Sequence, residues 1–174
     1  MKTLGIDVGS TTLKYVLMDE SLNILDCDYK RHKAKATQLT AQLLEYIGEN
    51  YPNEEMRVAV SGSAGMGMAE QFSLPFIQEV YATRLAVKKY QPDTDAVVEL
   101  GGEDAKIIFL TDGFEMRMNG SCAGGTGAFI DQMASLIQTD AAGLNEYAKN
   151  YQSLYTIAAR CGVFAKTDIQ PLIN

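Results

Sequence analysis

The chain has few of the residue types on which several protein classes depend. Its 174 residues include three cysteines, one histidine, four prolines and no tryptophan. An odd number of cysteines without a secretory signal argues against a disulfide framework and leaves metal binding or plain thiols. No apolar run approaches the roughly 20 residues that a membrane-spanning helix needs, and the first residues lack the apolar region and cleavage site of a signal peptide. We therefore expect a cytoplasmic protein without a membrane partner.

Positive charge is also scarce. Lysine and arginine together number 15 against 22 acidic residues, for a net charge of -7. Because nucleic-acid backbones are bound by clustered Lys and Arg, a nucleic-acid partner is not expected. The densest basic run, residues 29–35, is interpreted as a solvated strand end and loop. It contains His32, which is therefore a poor candidate for a catalytic base and weakens a Cys–His hydrolase interpretation.

The apolar residues, which make up 47% of the chain, follow patterns of a mixed α/β protein. Helical spacing predicts helices over residues 36–50 and 79–90, and further helices after the glycine-rich stretch near residue 125. Cys27 lies in a strand pattern and is predicted to be a buried thiol that acts as a small apolar residue. Short apolar runs predict strands at residues 3–9, 13–19, 22–29, 56–60 and 96–102.

Two segments of the chain repeat one another. When residues 6–18 are aligned with 98–110, Asp7 meets Glu99, Gly9 meets Gly101 and Lys14 meets Lys106, each pair 92 positions apart (99 − 7, 101 − 9, 106 − 14). The match predicts a duplication, although two unrelated hairpins with glycine turns are the alternative. We expect a first half at 1–92 and a second half at 93–174. No second buried strand run follows Phe109, so the second half is expected to be incomplete.

The turns of the two repeats are candidate phosphate sites. A turn after a buried strand exposes backbone N–H groups and hydroxyls in an arc that suits a phosphate group, although a purely structural turn is the alternative for either one alone. If the halves face each other, the arcs form opposite walls of a cleft for a polyphosphate and a metal ion. The candidate nucleotide-binding residues are Asp7, Gly9, Ser10, Thr11, Thr12, Lys14, Gly101, Gly102, Glu103 and Asp104.

Four carboxylates are candidates for chemistry at these turns. Asp7, Glu99 and Asp104 are available to a hydrated Mg²⁺, which takes only one or two protein oxygens. Glu79 begins a predicted helix, where it either positions a water as a base or complements the helix dipole. Glu79 and Asp104 are the candidate catalytic residues.

Two cysteines lie beside glycines. Cys122, in "NGSCAGGTG", precedes a helix whose N-terminal amides favour a thiolate. That environment suits a nucleophile, a redox thiol or a metal ligand equally well. Cys161 lies 39 residues further on (161 − 122), also next to glycine. Two thiolates do not complete a four-ligand iron-sulfur site, but a symmetric dimer supplies four.

With these motifs, the chain resembles the activator ATPases of (R)-2-hydroxyacyl-CoA dehydratases and the related ATP-binding subunits of benzoyl-CoA reductase. "GIDVGSTTLKYVL" is similar to the family's first phosphate motif and "ELGGEDAK" to its second. "NGSCAGGTGAFIDQMA" is similar to the segment with its first cluster cysteine, and Cys161 falls where the family has its second. The family's glycine-rich adenosine-binding segment has no counterpart before Asn174, so a portion of a larger activator-like protein is expected.

The resemblance implies a fold and a function. The fold would be the duplicated ribonuclease H-like one of actin, sugar kinases and heat-shock ATPases. Family members are homodimers that share one 4Fe-4S cluster, use ATP, ADP and Mg²⁺, and receive electrons from a donor such as ferredoxin or flavodoxin. ATP drives a low-potential electron into the partner dehydratase or reductase. The alternatives are a small-molecule kinase of the same superfamily without a cluster and a non-catalytic nucleotide-binding module.

Overall fold

The computed structural model of the chain describes residues 1–111, 115–119 and 124–173. The chain separates into two compact units, Met1–Asp93 and Thr94–Asn174, which we call unit 1 and unit 2. Each unit contains one sheet and three helices among these residues, which agrees with the predicted α/β class. In the described part of the chain, no helix has the length and apolar character needed to cross a membrane.

Unit 1 is built on a four-stranded sheet. Its elements are β1 (Lys2–Val8), β2 (Thr12–Met18), β3 (Ile24–Arg31), α1 (Ala36–Asn50), β4 (Met56–Ser61), α2 (Gly65–Gln71) and α3 (Glu79–Tyr90). The strand order is β3-β2-β1-β4, in which β1, β2 and β3 pair antiparallel and β4 lies parallel to β1. An isolated parallel bridge between Val60 and Phe76 adds to β4. Three antiparallel strands followed by a parallel one form a mixed sheet, in agreement with the expected α/β class.

Helix α1 packs on the sheet through one face. Thr40, Leu43 and Ile47 are its buried residues, at the i, i+3, i+7 spacing that brings side chains to one side of a helix. Leu43 and Ile47 join a core cluster with alternate residues of β1, including Leu4 and Ile6. Alternation on the strand and helical spacing on α1 therefore bury the same apolar layer. The predicted helix over residues 36–50 is confirmed.

Unit 2 contains a three-stranded antiparallel sheet in the order β5-β6-β7. Its elements are β5 (Ala96–Leu100), β6 (Ala105–Phe109), β7 (Glu115–Met118), α4 (Gly127–Leu136), α5 (Ala141–Lys149) and α6 (Gly162–Ile173). Helix α4 contacts both α5 and α6. The fully buried Thr126 caps α4, because its hydroxyl accepts a hydrogen bond from the Phe129 N–H at 3.5 Å.

Four features differ from the sequence expectations. Helix α2 forms in a glycine-rich segment, where a Cβ on Gly65 would lie 2.8 Å from Val60, so close packing on the sheet selects glycine. Strand β7 was not predicted because its residues are all exposed and form no apolar run. Cys27 is exposed on the outer strand β3, so its predicted burial is wrong. His32 is only 7% exposed, although the basic run around it was expected to be solvated.

Candidate functional site

The turn between β1 and β2 presents unpaired backbone amides. Its closing hydrogen bond runs from the Gly9 N–H to the Thr12 carbonyl at 2.9 Å. Among the described residues, the N–H groups of Ser10 and Thr11 meet no acceptor. Two successive free amides at a tight turn form a concave site for an anion, as the sequence predicted for this turn.

An acidic and a basic side chain lie on the strands beside this turn. Asp7 and Lys14 are opposite each other on β1 and β2, and Lys14 Nζ lies 2.8 Å from Asp7 Oδ2. Both side chains are about one-third exposed, so the contact adds little stability. The main effect of the ion pair is to fix the orientation of the Asp7 carboxylate. The other carboxylate oxygen, Oδ1, takes no part in the contact with Lys14.

Unit 2 repeats the turn. The Gly101 N–H donates to the Asp104 carbonyl at 2.8 Å, which matches the closing bond from Gly9 to Thr12 at positions 92 residues earlier (101 − 9, 104 − 12). In the described chain, the N–H groups of Gly102 and Glu103 likewise lack an acceptor. The two hairpins therefore share their closing hydrogen bond at equivalent positions of the repeat.

Unit 2 also repeats the acid–lysine pair. Glu99 and Lys106 are opposite each other on β5 and β6, with Lys106 Nζ 3.4 Å from Glu99 Oε1. Lys106 is 6% exposed, so the charge is more enclosed than that of Lys14. Glu99 Oε2 is buried and has no hydrogen-bond partner among the described residues. A buried carboxylate oxygen with free lone pairs is suited to accept from a metal-bound water.

The residues present fit a hydrated Mg²⁺ better than a metal held by the protein alone. Within the described ranges, no group of three or more His, Cys, Asp or Glu side chains converges on one point. A Cβ on Gly62 would lie 2.3 Å from Asp7 Oδ1, so glycine keeps the space beside this oxygen free. The side chains of Glu103 and Asp104 are exposed. One or two carboxylate ligands with several waters is the usual arrangement for Mg²⁺.

Glu79 is the first residue of α3 and is half-buried. Gln78 caps this helix by accepting from the Tyr81 N–H at 3.0 Å. The predicted helix over residues 79–90 is confirmed. An acid in the first turn complements the helix dipole, which agrees with one of the two expected roles of Glu79.

The two candidate cluster cysteines differ in what the structure describes. Cys122 lies outside the described residues. Cys161 is half-buried just before α6, and its carbonyl accepts from the Ala165 N–H at 2.9 Å. A Cβ on the next residue, Gly162, would lie 3.0 Å from the Gly124 Cα. Unit 2 therefore brings the start of α6 against a residue that is two positions from Cys122 in the sequence.

Sequence reasoning missed two residues at the first turn. His32 Nε2 lies 3.0 Å from the Gly9 carbonyl, and Gly62 approaches Asp7 and Val8 with a φ of +89°. The only available signals were a lone histidine in a basic run and a glycine after a strand. Neither pattern shows that distant segments of the chain meet at this turn.

A family comparison shows which proteins this chain is similar to. The sequence profile of the BadF/BadG/BcrA/BcrD ATPase family matches residues 4–172. The chain belongs to this family. The resemblance inferred from the phosphate motifs and the cysteine segments is thereby confirmed.

Named relatives of this family member are dehydratase activators. The chain is 29% identical to the 2-hydroxyisocaproyl-CoA dehydratase activator of Clostridioides difficile, over 97% of this chain and 65% of that protein. It is 27% identical to the (R)-2-hydroxyglutaryl-CoA dehydratase activating ATPase of Acidaminococcus fermentans. The chain spans about 65% of the length of these curated relatives.

Solved structures confirm the fold class. Component A of the Acidaminococcus fermentans (R)-2-hydroxyglutaryl-CoA dehydratase superposes with a TM-score of 0.86 at 25% identity, over 99% of this chain and 68% of that one. The activator of the Clostridium difficile 2-hydroxyisocaproyl-CoA dehydratase, solved with bound ADPNP, gives 0.81 at 28% identity over 97% and 64%. The family member therefore has the activator fold over nearly its whole length.

Proposed function

We propose that this chain is the phosphate-binding and cluster-bearing part of an ATP-dependent activator of a 2-hydroxyacyl-CoA dehydratase or a benzoyl-CoA reductase-like enzyme. The observation that carries the proposal is the repeated turn, in which a glycine amide closes the hairpin and the next two amides have no acceptor in the described chain. An acid–lysine pair accompanies each turn. Family membership and the ADPNP-bound relative support ATP as the anion.

The residues of the two turns have different proposed roles in ATP binding. The amides of Ser10, Thr11, Gly102 and Glu103 bind phosphate oxygens, because they are the unpaired donors of the two turns. Their neighbours Gly9, Thr12, Gly101 and Asp104 close those turns. The two lysines hold the metal-facing acids in position and reduce their negative charge near the phosphates.

The carboxylates act on the metal and on water. Asp7 in unit 1 and Glu99 in unit 2 are the carboxylates that would each offer the waters of a Mg²⁺ an oxygen outside the lysine contact. Glu79 and Asp104 are the proposed positions for directing a water toward the terminal phosphate.

An isosteric substitution tests nucleotide binding. Asp7→Asn keeps the shape of the side chain but removes the charge, so Mg²⁺-dependent affinity for a non-hydrolysable ATP analogue should fall by about tenfold or more. Isothermal titration calorimetry with and without Mg²⁺ measures this. Asp28→Asn is the matched control, because Asp28 is a strand carboxylate of similar exposure (37% against 34%) that also pairs with a lysine. A wild-type chain that binds neither ATP nor ADP contradicts the proposal, as does an equal loss in the control.

Cys122 and Cys161 are the proposed ligands of a 4Fe-4S cluster shared by two copies of the chain. The close approach of Gly162 to Gly124 supports this, because Gly162 follows Cys161 and Gly124 lies two positions after Cys122 in the sequence. When bound, such a cluster supplies a low-potential electron. The proposed partners are a dehydratase or reductase as acceptor and a ferredoxin- or flavodoxin-class donor.

Iron analysis tests the shared cluster. Anaerobically reconstituted protein should be brown, dimeric and contain about two iron atoms per chain, which is one cluster for two copies. Cys122→Ser and Cys161→Ser should remove the colour and the iron. Cys27→Ser is the control, since Cys27 is an exposed thiol of unit 1. A wild-type protein that stays colourless but binds ATP would instead favour a kinase or a nucleotide-binding module.

A further inference from the structure

His32 holds the turn of unit 1 through two carbonyl groups. Its ring Nε2 lies 3.0 Å from the Gly9 carbonyl, and its backbone N–H donates to the Thr11 carbonyl at 3.1 Å. A carbonyl oxygen only accepts, so Nε2 carries the proton. The other ring nitrogen, Nδ1, is buried and has no hydrogen-bond partner among the described residues. Among the described residues, the hydrogen bond of the His32 ring is therefore the one from Nε2 to the Gly9 carbonyl of the turn.

Unit 2 satisfies the equivalent carbonyl by a different group. Gly101 corresponds to Gly9 in the repeat, and its carbonyl accepts from the Gly127 N–H, at the start of α4, at 2.7 Å. The first repeat uses a side chain and the second uses a helix-terminal amide for the same carbonyl. Two unrelated local sequences thus provide a donor at the same point, which indicates that the turn conformation depends on it.

The hydrogen bond to this carbonyl also sets the direction of an amide. In a trans peptide unit, the carbonyl of one residue and the N–H of the next lie in one plane and point in opposite directions. Fixing the Gly9 carbonyl therefore fixes the Ser10 N–H, which is one of the two unpaired donors of the turn. His32 thereby orients an amide of the turn that has no acceptor among the described residues.

The chain accepts an unfavourable backbone conformation next to His32. Lys33 and Ala34 have φ values of 48° and 62°, in the left-handed region that non-glycine residues avoid. A hydrogen bond from the Lys35 N–H to the His32 carbonyl at 2.8 Å closes this second turn. The tight turn ends β3 at the point where His32 meets the turn of β1 and β2.

We propose that His32 is a positioning residue that orients the anion-binding amides of the unit 1 turn, as the amide of Gly127 does for the unit 2 turn. The inference rests on the proposed function, in which this turn binds the phosphates of ATP.

Two substitutions of similar length separate the hydrogen bond from packing. His32→Gln retains an N–H donor at about the reach of Nε2, whereas His32→Met has no donor. We expect His32→Met to raise the exchange rate of the Gly9 amide by about fivefold and to raise the Kd for ATP by a similar factor, as for one lost hydrogen bond. His32→Gln should stay within about twofold of wild type in both measurements.

Amide exchange is measured by NMR on nucleotide-free protein. It therefore distinguishes a failure of the His32 inference from a failure of the proposed ATP binding. If wild type binds no ATP, the proposed function fails, and the Gly9 amide still decides the role of His32. Equal exchange in wild type and His32→Met overturns the inference. Equal impairment in both variants also overturns it, because packing rather than the donor would then matter.

A test on the wild-type protein does not require any variant to fold. The chain contains one histidine, so its imidazole nitrogens give one set of NMR signals. Under mildly alkaline conditions, ¹⁵N shifts should show the tautomer that is protonated at Nε2. The Nδ1-protonated tautomer overturns the inference.

Discussion

At the scale of single residues, Gly62 shows how a missing side chain shapes the first turn. Its φ is +89°, and a Cβ there would lie 2.3 Å from Asp7 Oδ1 and 2.4 Å from the Val8 carbonyl. Real Cβ atoms do not approach other atoms this closely, and the Val8 carbonyl belongs to the backbone of β1, which has no room to move. Glycine at this position therefore permits both the backbone conformation and the place of the Asp7 carboxylate.

We expect Gly62→Ala to lower the free energy of unfolding by about 2 kcal/mol or more, because it combines a left-handed backbone with a steric conflict. Gly48→Ala is the matched control, since Gly48 lies inside α1 with nothing within 4 Å of its added Cβ. That change should be neutral or stabilise by up to about 1 kcal/mol. Urea unfolding measures both. A Gly62→Ala variant as stable as wild type would show that the turn adapts.

Part of the candidate site was predictable from single residues. The spacing of Asp7, Gly9 and Lys14 from their counterparts predicted two similar hairpins, because strand pairing is local in sequence and acts through short turns. The burial of His32 was not predictable. It depends on where β3 ends relative to the turn of β1 and β2, which the charge of its neighbours does not reveal.

At the scale of elements, a polar cluster ties α1 to the sheet of unit 1. The Tyr46 hydroxyl on α1 donates to Asp26 Oδ2 on β3 at 2.9 Å. Burial raises the pKa of Tyr15 on β2 above its ordinary value of 10.0, and its hydrogen bond to Asp26 adds to the effect. The hydrogen bond to Asp26 is the main cause that raises the pKa of Tyr46.

These pKa shifts predict a loss of stability in alkali. Below pH 10.0 both phenols are protonated in the folded and unfolded chain, so their contribution is fully present. Above it the unfolded chain releases the protons first, and the free energy of unfolding falls as pH rises toward the folded pKa values. Tyr15→Phe should make this fall shallower. Urea unfolding from about pH 9 to about pH 12 measures the slope.

A tyrosine on another surface provides the control for that slope. Tyr147 on α5 is 61% exposed, and Tyr147→Phe removes one phenol without touching the Asp26 cluster. An alkaline slope that is the same for Tyr15→Phe and wild type would show that the cluster is not the source of the pH dependence.

Elements with a clear periodicity were predicted well, and those formed by packing were not. Helix α1 has apolar residues at helical spacing and was predicted over its full length. Helix α2 contains Gly65 and Gly67, which disfavour a helix, and it forms where Gly65 fits against Val8 and Val60. Local sequence thus determines helix α1, whereas tertiary contact determines helix α2.

At the scale of the whole molecule, the described core is uneven. Most buried apolar residues lie in unit 1, whereas Ile108, Met133, Ala134 and Ala165 are those of unit 2 in the described residues. Val98 on β5 is 65% exposed. The chain also spans only about 65% of the length of its curated relatives. That the second half of the duplicated fold is partial stays a prediction.

The compact units of the structure and the repeats of the sequence are separate observations. The boundary between the compact units lies between Asp93 and Thr94. The division into functional halves at residues 92 and 93 stays a prediction, as do the roles of the site residues. The repeat itself is supported by matching hydrogen bonds and ion pairs in both units.

The sequence by itself determined the family, the paired hairpins and the candidate phosphate turns, because these depend on residues close together in the chain. Tertiary structure decided that His32 is buried against Gly9, that Gly62 makes room for Asp7, and that Cys27 is exposed. The physical reason is that burial is a property of contacts between distant segments. Strand periodicity shows which side chains share a face, and only the packed elements show which face is covered.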